Sequence, residues 1–187
     1  MKTVAAIVLT VLSVTAASAQ HRTFAVDTGT SEIRMKLNTT HEVVNGTFHV
    51  QSGTIDFDSA HATISGTVVV AAGSGNTGNG SRDKKMNKDI LKSDQFTTVS
   101  FAPKTYSGTI ASSGDSTIQV SGVFTLLGTP HDITIPMQIH IDATNATAEA
   151  QFTVPYVQWG LKNPSFFIWK ADNDVAISLK LVGKITN

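Results

Sequence analysis

Apolar and polar side chains alternate along most of this chain, and a period of two leaves little besides β-strands with one wet face. Ile33, Met35 and Leu37 share a face, as do Val44, Gly46, Phe48 and Val50. Ala62, Ile64, Gly66, Val68 and Val70 stand opposite Thr63, Ser65 and Thr67. The pattern returns at Val99, Phe101 and Pro103, at Ile118 to Leu126, at Ile133 to Ile141, at Ala148 to Val154, and at Val175 to Ile185. Turn residues separate these runs: Thr28-Gly29, Ser52-Gly53, Ser113-Gly114-Asp115, Gly128-Thr129-Pro130 and Thr144-Asn145. The count is about eight strands, each with a single apolar face. Such strands pair antiparallel around a shared interior, and closing the sheet removes its exposed edges. The expected fold is all-β, an extended eight-stranded antiparallel barrel, with a two-sheet sandwich as the alternative. Two segments break the alternation. A helical insert is expected at about 82–92, and a second short helical turn at about 163–167, where Pro164 suits a first helical position.

Glycines fall in mid-strand at Gly46, Gly66, Gly122 and Gly183. They either let the sheet bend at barrel corners or leave interior volume unfilled.

The chain opens like a secretory leader. Lys2 gives a positive start, Val4 to Val14 an apolar stretch too short to span a bilayer, and Ala17-Ser18-Ala19 a cleavage site. The expected division is a signal peptide over 1–19 and a barrel domain over 20–187, in an exported, periplasmic or secreted protein of bacterial origin. There is no cysteine, which removes disulfides, thiolate metal sites and thiol nucleophiles together. Fourteen basic residues balance fourteen acidic ones, so nothing suggests a nucleic-acid footprint.

Chemical motifs are sparse. Gly73-Ser74-Gly75-Asn76-Thr77-Gly78 has the spacing of a dinucleotide-binding loop. The helix after it is short and polar, and no acidic strand end follows at Thr97 to Ser100. It reads as a loop feeding the insert. The histidines at 21, 41, 49, 61, 131 and 140 lack metal-ligand spacing, and neither a metal nor a cofactor is expected. There is no nucleophile elbow. Arg82-Asp83-Lys84-Lys85 is either a solvated helix start or a cationic group at a barrel rim. Pro155 to Gly160 and Ser165 to Trp169 hold both tryptophans; they form either an aromatic plug or an apolar mouth.

The order Thr77, Arg82-Asp83, Leu91-Lys92-Ser93, Phe96, Phe101, Pro103 resembles the signature of the YceI-like family, periplasmic lipocalin-like barrels that bind polyisoprenoid lipids. The resemblance extends over Ser31 to Met35, Val44 to Phe48, Gly53 to Asp58, Val120 to Gly128 and Ile133 to Pro136. It implies a barrel holding an isoprenoid chain, bound without catalysis. Tail contacts are then expected from Met35, Phe48, Phe101, Phe124, Met137 and Phe152, with Trp159 and Phe167 at an aromatic mouth and the head group near His41 or Arg82. Transient membrane contact and a homodimer are both compatible with this reading. The chain departs from the family pattern in three places. His41 follows Asn38-Thr39-Thr40 where members carry a histidine near the strand end, Met35 stands for a phenylalanine, and Asn163-Pro164-Ser165 is inserted. These differences bear on the ligand rather than the fold.

Two other readings stay open. One is an enzyme acting on such a lipid through His41 with Arg82 or Asp83. The other is a structural β-domain with no ligand.

Overall fold

The computed structural model describes residues 21–187, so the expected leader lies outside the described residues. The alternating runs form ten antiparallel strands: β1 (His21–Val26), β2 (Glu32–Asn38), β3 (Val43–Phe48), β4 (Val50–Asp58), β5 (Thr63–Ala71), β6 (Thr98–Gly108), β7 (Gly114–Leu126), β8 (Thr129–Asp142), β9 (Asn145–Val154) and β10 (Val175–Thr186). They fill eight positions around a closed barrel. β1 and β2 share one position, because both pair with β10, at Val26–Gly183 and Glu32–Lys180 respectively. β3 and β4 share the next, pairing β2 and β1 on either side of His49. The β1–β10 ladder closes the circle, and every inner face points to one shared core.

Turn chemistry fixes register where strands meet directly. β7 and β8 join through Leu127-Gly128, both at positive φ (49° and 71°), the conformation whose twist suits a two-residue hairpin. Two mid-strand glycines settle the question of their use. Gly66 sits at φ 109°, and a Cβ there would strike the Thr54 carbonyl. At Gly122 a Cβ would strike the Ala102 carbonyl and Pro103, where the β6–β7 register shifts. Glycine here serves close backbone approach at bends, not empty interior space.

The insert between β5 and β6 starts with a 3-10 turn at Ala72–Ser74, then α1 (Gly80–Lys85), which runs on into a π-type turn over Met86–Ile90. Asn79 caps α1, its Oδ1 accepting from the amides of Ser81 and Arg82, each at 3.1 Å. The loop before it is stitched to β3 by reciprocal backbone bonds between Asn76 and Thr47, both 3.0 Å. β3 would otherwise leave that edge open beside the barrel end.

The second helical turn expected at 163–167 does not form. Asn163 Oδ1 accepts from the Ser165 amide at 2.8 Å and from its hydroxyl at 2.5 Å, a local closure that competes with the helix. The chain then makes a tight turn at Phe167-Ile168, with Phe166 and Trp169 exchanging backbone bonds of 2.8 and 2.9 Å.

Candidate functional site

The two barrel ends are built differently. At one end the strands meet through short connections, and Phe24, Phe57, Tyr106, Ile110, Ile141 and Ile185 pack into the core. The Tyr106 hydroxyl donates to the Asp58 carbonyl at 3.3 Å. Asp58 Oδ2 lies 2.7 Å from His61 Nδ1, and its Oδ1 accepts from the amides of Ala60 and His61. The His61 side-chain bond, with those amides, holds the Asp58 carboxyl below the usual carboxylate range against the opposing effect of its burial. Arg22 is buried close by, its guanidinium 5.9 Å from the Phe57 ring centroid.

The other end carries the β2–β3 turn, the helical insert and the long β9–β10 connection. Between the two ends runs a cavity of about 430 Å³, lined almost wholly by apolar side chains from around the barrel. Its charged lining groups are Glu42, Arg82, Lys85 and Lys170, and all come from connections at this second end. That end is the mouth. A smaller apolar cluster of Ile90, Leu126, Val154, Tyr156 and Leu161 forms its inner collar. The Tyr156 hydroxyl donates to the Asp172 carbonyl at 2.6 Å, and burial pushes its pKa up to about 12, with Asp172 and Asp174 adding to the rise.

Of the residues singled out in the sequence, Met35, Phe48, Phe101, Phe124, Met137 and Phe152 all stand on the cavity wall, and Arg82 stands at its mouth. Three lie elsewhere. Trp159 packs against the inner collar at the mouth without lining the cavity, 5.6 Å from Phe124 and stacked on His131 at 4.1 Å. Phe167 projects into solvent. The His41 ring packs on Trp169 at 3.8 Å, and it is Trp169 that lines the cavity. The sequence places Lys85, Tyr156 and Trp169 only within longer runs and marks none of them as an individual contact, and it gives no sign of Lys170. Alternation assigns faces within strands but is silent in connections, where all four reside.

Arg82 and Asp83 are committed to the loop around them. Asp83 Oδ1 accepts from the Thr77 amide at 2.9 Å and its hydroxyl at 2.6 Å. Arg82 donates from Nε to Thr77 Oγ1 at 2.8 Å and from Nη1 to Glu42 Oε1 at 2.7 Å. Among the described residues the His41 ring hydrogen-bonds neither of them. Arg82 and Asp83 meet at the Thr77 hydroxyl, while the His41 ring lies against Trp169, so the three groups do not converge on one point. Among the described residues no group of three metal-ligating side chains gathers.

Known proteins of similar form share this architecture. A Burkholderia cenocepacia protein, BcnA, superposes with a TM-score of 0.68 over 84% of this chain and 99% of its own, at 17% identity. A Saccharophagus degradans domain, described as polyisoprenoid binding and implicated in plant cell wall breakdown, gives 0.66 over 87% and 98%, at 14% identity. A Campylobacter jejuni YceI protein gives 0.62 over 77% and 86%, at 20% identity. No curated protein matches the chain. The model of the YceI-like domain matches residues 24–183, nearly the whole described barrel, and the chain belongs to the YceI-like family.

Proposed function

We propose that this protein binds a long-chain isoprenoid, or a quinone-like amphiphile, within the barrel and carries or stores it without transforming it. The observation behind this is the apolar cavity of about 430 Å³ whose charged groups sit only at the mouth. That arrangement suits an amphiphile entering tail first. Each buried CH₂ contributes about 0.8 kcal/mol, so a few isoprene units suffice for firm retention. Met35, Phe48, Phe101, Phe124, Met137 and Phe152 would hold the tail, and Arg82 stands near the head. The Saccharophagus degradans domain, described as polyisoprenoid binding, supports the same cargo class. The leader-like start and the absence of cysteine support a periplasmic location, where the cargo would be exchanged with a membrane.

Native mass spectrometry with lipid extraction, on protein isolated from a bacterial envelope, tests the proposal. A stoichiometric polyprenyl or quinone adduct is expected. Clean apo protein that also refuses added polyprenols would overturn it.

A further inference from the structure

Phe166, Phe167, Ile168 and Trp169 are four successive large apolar side chains with relative exposures of 64, 79, 73 and 51%. A single exposed apolar residue needs no explanation, but a contiguous apolar tip does. This one is not a slack loop. Thr40 Oγ1 donates to the Ile168 carbonyl and accepts from the Lys170 amide, both at 3.1 Å, and the Thr40 amide donates to the Lys170 carbonyl at 2.9 Å. Asn38 Nδ2 donates to Asp172 Oδ2 at 3.1 Å, and Ser165 Oγ accepts from the Ala171 amide at 2.8 Å. Polar clamps on both sides hold the tip outward.

The backbone carries a second sign. Phe167 stands at φ 49°, in the first central position of a two-residue turn, where glycine or asparagine is the ordinary occupant. A bulky side chain there costs conformational energy, and such strain collects at functional positions. The Phe167 ring meets Phe166 edge-on at 4.5 Å, but both rings are exposed and neither belongs to the barrel core.

Position and charge identify the partner. Trp169 lines the cavity, so apolar surface continues from the tip into the barrel. Lys85 and Lys170 border the same mouth and form no ion pair among the described residues, while the acidic Glu42 is already engaged by Arg82. Aromatic and aliphatic side chains ringed by lysine suit an interface of hydrocarbon below and anionic head groups above.

We infer that the Phe166–Trp169 tip docks the barrel mouth onto an anionic phospholipid bilayer, the tip inserting while Lys85 and Lys170 meet lipid phosphates. The inference rests on the carrier reading and gives its cargo a route that avoids water.

The test is sedimentation of the purified protein with vesicles of phosphatidylethanolamine and phosphatidylglycerol, against vesicles of phosphatidylcholine alone. Tryptophan emission reports insertion. The wild type is expected to bind the anionic vesicles with a blue shift. Phe167→Asn removes the ring while suiting the positive φ, so vesicle affinity should fall on the order of tenfold with the melting temperature unchanged or higher. Ile168→Ser should weaken docking similarly and leave cargo loading, read by native mass spectrometry, as in the wild type. The double change Lys85→Gln, Lys170→Gln should lower the preference for anionic vesicles on the order of tenfold. Wild-type protein that ignores the vesicles, or tip variants that bind them equally well, would overturn the inference. So would a dimer that Phe167→Asn dissociates without any vesicle binding, which would reassign the tip to self-association. Vesicle binding by a protein that never holds lipid would instead overturn the carrier reading alone.

Discussion

Arg82 and Glu42, forty positions apart in sequence, form an ion pair of 2.7 Å across the barrel mouth. The pair joins α1 to the β2–β3 turn, and Arg82 also donates to the Thr77 hydroxyl and carbonyl. The mouth is therefore a latched structure, in which the insert closes the free edge of β3. Arg82→Ala should cost about 1.5–3 kcal/mol, the range for charged hydrogen bonds, with the exposed share of the pair contributing least. Limited proteolysis should then cut first within residues 76–92. An unchanged cleavage pattern would show the latch to be dispensable.

Ala148 lies on the cavity wall, paired with Leu181 on one side and Ile139 on the other. Ala148→Phe would place a ring inside the barrel, where space is available. Because the ring enters a cavity, stability should change by less than the roughly 1–3 kcal/mol typical of overpacking a filled core. Lipid capacity should fall sharply. Thermal melting and native mass spectrometry of the same sample check both halves.

Alkaline pH should unfold the protein through its two tyrosines. Burial raises the pKa of Tyr106, with Asp58 adding to it, and that of Tyr156 to about 12. Tyrosine in the unfolded chain ionises near pH ~10. Unfolding therefore releases protons between these values, and stability is lost as pH climbs through that window. The phenolate absorbance should lag behind that of free tyrosine and then rise together with loss of the near-ultraviolet circular dichroism. A normal tyrosine titration with the fold intact would contradict this.

Acid acts at the opposite end. The Asp58 carboxyl is held low chiefly by the His61 side-chain bond, so its contribution is full above the ordinary carboxylate pKa of about 4 and fades as pH falls through the lower folded value. Asp58→Asn should melt below the wild type at neutral pH, with the gap closing in acid. A gap independent of pH would assign the effect to packing.

The barrel was legible because period two survives wherever a strand has one wet face. All six alternation-derived tail candidates, from Met35 to Phe152, stand on the cavity wall for that reason. Connections carry no such period. Pro164 suggested a helix, but the Asn163 side chain captured Ser165 first. Trp159 and Phe167 sit in connections and miss the cavity, while Trp169, two residues beyond Phe167, reaches it. The sharing of one barrel position by β1 and β2 was equally hidden, since it depends on β10 being long enough to pair with both.

The central claim is that the cavity holds an isoprenoid tail, and affinity across a series of polyprenols of increasing length tests it most directly. If the tail is buried, each added isoprene unit should tighten binding by at least about tenfold until the cavity of about 430 Å³ is filled, and further units should add nothing. Affinity that does not change with chain length would contradict the account and move the binding site out of the barrel.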